Sequence, residues 1–230
     1  MSTHPLNHLP TLAARPDSHS LDLVFIVDAV CSEQLLERRC KFVRDIIRNV
    51  VNGLPEEGHL RVGAIAYGPH TSTRIPVARL STNIDSIQRF LRAQDAHPGG
   101  PFEAAYEEVL YGLYDLNWGP VSHRVILTVG YRPPHPYRPW AQSSGDPFDC
   151  YNQQFCEKGF DWWLLLAPLR SYLRLHSIVI VCPSNWHDNS ALTYTDDYAE
   201  FCWREIGYTN LFSLNSTTAG EVARDILQLV

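Results

Sequence analysis

An aspartate, Asp28, closes a run of apolar residues from Val24 to Val27, and a serine, Ser32, stands four positions further on. At the end of a buried strand this spacing directs a carboxylate and a hydroxyl into one cleft, and oxygen ligands are what a hard divalent cation such as Mg2+ requires. The same two residues have a plainer use. Ser32 directly precedes Glu33 and suits the N-cap of a helix, with Asp28 hydrogen-bonding the loop between.

The other constellations are weaker. Cys150 and Cys156, near Asp146, Asp149 and Glu157, offer half of a zinc site, and Cys182 and His187 are the nearest candidates to complete it. The spacing of the first pair is wider than usual and zinc needs four converging ligands, so ordinary structural thiols are expected. His4, His8 and His19 fall in a leader and are expected to be solvated. No Gly-x-Ser-x-Gly turn is present, and Ser32 has no histidine assignable to it. Gly99-Gly100 lacks the lysine of a phosphate-cradling loop and the spacing of a dinucleotide fingerprint. The acidic pairs Glu56-Glu57, Glu107-Glu108 and Asp196-Asp197 read as solvated charge on turns and helix faces, the last also suiting a helix start.

Residues 21–27 read as a strand covered on both faces, broken only by Asp22. Residues 33–52 follow as a helix whose apolar positions Leu36, Cys40, Val43, Ile47 and Val50 recur every three or four residues, with arginine and glutamate between them and Gly53 as a stop. Two extended stretches, 60–67 and 74–79, flank Gly68-Pro69 and predict an antiparallel hairpin at a sheet edge. Asn83 caps a helix to Arg92, and a longer helix is expected over 102–116. Beyond it come a strand at 124–129, a Pro-rich surface loop at 131–147, a helix at 162–175 that Pro168 kinks or divides, and a strand at 177–182. A helix at 196–206, a short strand at 211–214 and a closing helix at 219–230 complete the chain. The alternation predicts an α/β fold: a doubly wound, mostly parallel sheet with one antiparallel edge strand and helices on both faces, Rossmann-like in plan. Ligands of such sheets bind beyond the carboxyl ends of the strands.

The 230 residues are read as a flexible leader, 1–20, and one domain, 21–230. A net charge of -6 disfavours nucleic acid and anionic membrane as partners. The apolar runs are too short to span a bilayer, and residues 1–20 do not read as a secretory signal. The six cysteines are then expected as thiols in a reducing cytoplasm.

From residue 21 onward the order of elements and the loop sequences resemble the von Willebrand factor A (vWA) family, in particular a bacterial subgroup. The residues that carry the resemblance are Asp28-Ala29-Val30-Cys31-Ser32 against an Asp-x-Ser-x-Ser pattern, Gly99-Gly100-Pro101-Phe102-Glu103-Ala104 against a Gly-Gly loop with a following Pro-Glu-Ala, and Tyr131-Arg132-Pro133-Pro134-His135 against a Pro-Pro-His loop. The resemblance implies a metal-ion-dependent adhesion site drawn from three loops. Carried over by position, its ligands reduce to Asp28 and Ser32: Val30 replaces the middle serine, residues 99–102 offer no side-chain oxygen, and Gly130 replaces the last aspartate. The metal site is therefore expected to be degenerate, with too few oxygens to offset dehydration of Mg2+, and no cofactor is expected.

Recognition is then expected to pass to shape and aromatics. Tyr137, Arg138 and Trp140 in the Pro-rich loop are residue types that dominate interface hot spots, and are taken as the partner-binding residues. The first reading is a non-catalytic adaptor or scaffold that binds protein partners in a larger complex, within a multi-component bacterial signalling or defence system as the family context suggests. A second keeps the fold with a working metal completed by a partner's carboxylate. A third is a metal-dependent nuclease of the PIN or NYN type, which Phe25-Ile26-Val27-Asp28 also resembles but which needs acidic residues where Gly68, Gly130 and Pro183 stand.

Overall fold

The computed structural model describes residues 19–69, 75–97, 105–135, 156, 158–182, 193–208 and 210–230. Strand β1, Ser20–Asp28, runs through the middle of the molecule. Leu21, Leu23, Phe25 and Val27 pack to one side of it, Val24 and Ile26 to the other, and all six are fully buried. Cover on both faces explains why the strand reads as a continuous apolar run rather than an alternation.

Around β1 lie β2 (His59–Tyr67), β3 (Val77–Ser81), β4 (His123–Gly130), β5 (Leu175–Val181) and β6 (Leu211–Ser213), in the order β3-β2-β1-β4-β5-β6. Every neighbouring pair is parallel except β2 with β3. The edge hairpin is thus as expected, although β3 starts later than residue 74. Pro76 lends its carbonyl to the Ala66 N–H at 3.2 Å but has no N–H of its own to extend the ladder.

Helices α1 (Glu33–Gly53), α2 (Ile84–Arg92) and α6 (Ala219–Leu227) cover one face, and α3 (Tyr106–Gly112), α4 (Trp162–Tyr172) and α5 (Thr193–Gly207) the other. Two departures from the expected elements have local causes. The helix expected over 102–116 is only Tyr106–Gly112 followed by one 3-10 turn, Leu113–Asp115. The helix expected over 162–175 stops at Tyr172, because Arg174 takes a left-handed turn (φ 52°) that starts β5 two residues early. Pro168 does not divide α4, whose N-terminus the Asp161 carboxylate caps at 3.0 Å from the Trp163 N–H and 3.2 Å from that of Leu164. Among the described residues no helix is long and apolar enough to cross a membrane.

Asp22, the polar break in β1, is wholly buried. Arg61 of β2 grips its carboxylate with two N–H groups at 2.8 and 2.6 Å, and the Gly119 backbone N–H donates at 2.6 Å. This bidentate latch ties β1, β2 and the turn before β4 together at the base of the sheet. Asp22→Ala leaves Arg61 and a buried N–H without an acceptor. Because the Arg61 side chain stays 27% exposed, the expected loss is about 2–3 kcal/mol, below the range for a fully buried pair. A urea midpoint unchanged from wild type would contradict it.

Candidate functional site

The strand order reverses at β1, so the crevice to inspect lies past the carboxyl ends of β1 and β4, at Asp28 and Gly130. Asp28 is wholly buried. Its Oδ1 accepts the Val30 N–H at 2.9 Å, and its Oδ2 accepts the N–H groups of Tyr131 at 3.1 Å and Arg132 at 3.3 Å. The Arg39 guanidinium of α1 stands 3.2 Å from Oδ2 and also donates to the Asp28 backbone carbonyl. Arg39 is 1% exposed. Burial is the strongest single influence and opposes its charge, but the Asp28 carboxylate, with Cys182, Cys31 and Tyr67 adding to its pull, holds the guanidinium above its ordinary pKa. Arg132, also buried, lies below the ordinary arginine value through desolvation, with Asp28 pulling the other way.

Arg39 belongs to the polar positions of α1 on a first reading, yet it lies three residues after Leu36 and four before Val43, on the buried face. A cation on an apolar helix face signals a buried anion. That anion is Asp28, eleven residues upstream on β1.

Ser32 has another task. It is exposed, and its Oγ accepts the Leu35 N–H at 3.4 Å as the N-cap of α1. Gly130 is close-packed: a Cβ there would lie 2.6 Å from the Asp28 Cβ and 2.6 Å from the Tyr67 hydroxyl. No side chain enters without moving one of them.

The segment leaving β4 is held at each step. Trp203 donates its indole N–H to the Tyr131 carbonyl at 2.8 Å, Tyr67 its hydroxyl to the Arg132 carbonyl at 3.1 Å, and Tyr198 its hydroxyl to the Pro134 carbonyl at 3.1 Å. Burial raises the Tyr67 and Tyr198 hydroxyls well above the ordinary range, so both remain neutral donors. Tyr106 links the rings, edge-on to Tyr67 at 5.3 Å and to Trp203 at 5.2 Å. Glu107 corrects an expectation. It is not solvated charge but fully buried, with Oε2 taking the His135 N–H at 3.1 Å and Oε1 facing the His135 Nδ1 at 2.9 Å.

The thiols at this end are not activated. Cys31 is pushed up to about 11 by burial, which outweighs the pull of Arg39, and burial likewise raises Cys182. The five described cysteines, Cys31, Cys40, Cys156, Cys182 and Cys202, are all free. Cys150, His187, Tyr137, Arg138, Trp140 and the Gly99-Gly100 loop lie outside the described residues.

Among the described residues no group of three or more His, Cys, Asp or Glu side chains is placed to hold a metal ion. The Asp28 carboxylate already has N–H donors on both oxygens and a guanidinium against it, and Gly68 and Gly130 contribute no oxygen side chain beside it. These residues do not fit a divalent cation.

No protein-family model and no curated protein matches the chain. Solved structures do. The VWA domain of SpRpn10 superposes with a TM-score of 0.50 at 12% identity, covering 89% of this chain and 94% of that one. The chain has a vWA fold. Two longer proteins contain a similar unit. The pilus adhesin SpaC from Lactobacillus rhamnosus GG, in an open conformation, gives a TM-score of 0.59 at 14% identity over 95% of this chain and 31% of its own. Proximal thread matrix protein 1 from the mussel byssus gives 0.52 at 9% over 95% and 47%. In this vWA fold Asp28 and Gly130 occupy the carboxyl ends of the two central strands, and Arg39 reaches them from the first helix.

Proposed function

We propose that the chain is a non-catalytic protein-interaction module of vWA type, an adaptor or scaffold that meets protein partners beyond the carboxyl ends of its strands without a bound metal. The observation that carries this reading is Asp28. Its two carboxylate oxygens are spent on backbone N–H groups and its counter-charge comes from Arg39, so the carboxylate braces the surface instead of presenting a cation to a ligand. Raised thiols and Gly68 and Gly130 at the neighbouring strand ends leave the described crevice without an activated nucleophile or a pair of carboxylates for hydrolysis. An adhesin and a matrix protein among the similar structures are in keeping with a binding role. Free cysteines throughout the described chain are in keeping with a reducing, cytoplasmic setting.

Tyr137, Arg138 and Trp140 follow directly on the braced segment that ends at His135, and the reading assigns them the partner contact. The test is capture, with chemical cross-linking in the native host, of proteins bound to the whole chain and to its triple alanine variant at these positions. A partner recovered by wild type and reduced roughly tenfold or more by the variant, in buffer containing EDTA, is the expected result. Recovery that requires Mg2+ or Mn2+, or no partner at all, would overturn the proposal.

A further inference from the structure

Among the described residues, one part of the sheet is left uncovered. Helix α3 ends after seven residues, and between it and β3 opens a groove of about 600 Å3. Ile65 and Val77, paired across β2 and β3, form its floor with Val109 and Leu116 from the helical side. Val77 is 39% exposed. At one end Lys158 and Glu108 pair with each other at 2.5 Å. Arg79 on the sheet side and Asp115 on the helical side are different: both are exposed, and among the described residues neither side chain makes a hydrogen bond or an ion pair. Strand β3 is the edge of the sheet, with no described strand on its outer side.

An unpaired strand edge offers main-chain hydrogen bonds to any extended chain that approaches it, and the side chains of the edge strand then select the sequence. Val77 and Arg79 are two residues apart and face the same side as Ile65, into the groove. The opposite, unspent charges of Arg79 and Asp115 both line a groove with an apolar floor, which suits a segment carrying both signs around an aliphatic residue.

We propose that this groove receives an extended segment of a protein partner, added as a strand on the outer edge of β3, with an acidic side chain opposite Arg79 and an aliphatic one opposite Val77, two positions apart. A basic side chain of the same segment would answer Asp115. The inference rests on the reading of the chain as a protein-interaction module and gives that module a second contact, at the β3 edge.

Gly112 makes the test clean. It lines the groove, its φ of -65° is ordinary helix, and nothing lies within 4 Å of where a Cβ would stand. A Cβ at Gly112 meets no neighbour, so Gly112→Phe is chosen to project a ring into the groove, and Arg79→Glu reverses an exposed charge. The probe is a phage-displayed library of random peptides about ten residues long, selected on the whole chain, with the recovered sequences measured as free peptides by fluorescence anisotropy. The expected peptides carry Asp or Glu two positions from Val, Ile or Leu. Their Kd should weaken roughly tenfold or more with either variant, and exchanging the peptide acid for lysine should restore binding to Arg79→Glu. No recovered peptide, or peptides indifferent to Gly112→Phe, would overturn the proposal. So would a wild-type dimer in sedimentation that Gly112→Phe dissolves, which would assign the groove to a second copy of the chain. If cross-linked capture still depends on Tyr137, Arg138 and Trp140 but not on Gly112, the interaction-module reading stands and only the groove falls. If wild type captures nothing, that reading falls on its own, whatever the peptides do.

Discussion

Asp28→Ala is expected to lower the stability of the fold by about 3–5 kcal/mol, the usual cost of breaking a buried ion pair by removing one partner. For a chain of this size that is a fall in Tm of roughly 6–20 °C. The loss has two sources. Arg39, at 1% exposure, keeps a charge with no counter-ion, and the N–H groups of Val30, Tyr131 and Arg132 lose their acceptor. Combining Asp28→Ala with Arg39→Met removes the stranded charge and should recover part of the loss, so the two substitutions are expected to be strongly non-additive. Calorimetry of the four proteins with and without Mg2+ checks both claims. A single variant within about 2 °C of wild type, or a stability of wild type that rises with Mg2+, would show that Asp28 is not the internal brace described above.

Gly130→Asp should be at least as damaging. It restores by type the carboxylate that the vWA resemblance places there, but its Cβ arrives 2.6 Å from both the Asp28 Cβ and the Tyr67 hydroxyl. Overpacking of this kind costs about 1–3 kcal/mol, and a second carboxylate beside the first adds repulsion and desolvation. We expect a loss of about 3 kcal/mol or more in total, part of it recovered in Gly130→Ser/Tyr67→Phe, which removes the added charge and the clashing hydroxyl but keeps the close contact with the Asp28 Cβ. If Mg2+ instead stabilises Gly130→Asp by several degrees, the crevice accepts a cation once a second carboxylate is supplied, and the close packing around Gly130 is not the barrier.

Strands and helices were legible because burial on two faces leaves a local mark. Residues 21–27 read as a strand covered on both faces, and Ser32 and Asn83 mark helix starts through bonds made within three residues. Boundaries were less legible where a single residue far from the apolar pattern decides them, as Arg174 does for β5 and Pro76 for β3.

The sequence by itself determined the kind of sheet, its antiparallel edge and the strand end where a crevice must lie, since periodicity and turn residues report on neighbours along the chain. It also singled out Asp28. Its bond to the loop after β1 was legible in the sequence, but its ion pair with Arg39 of α1 and the N–H groups it accepts from the segment after β4, about a hundred residues away, were decided by the tertiary structure. The same holds for Glu107 with His135, for Asp22 with Arg61, and for the groove that a short α3 leaves beside β3. A charged side chain carries no mark of its own that tells solvent from a distant counter-ion, and only the folded chain brings the two together.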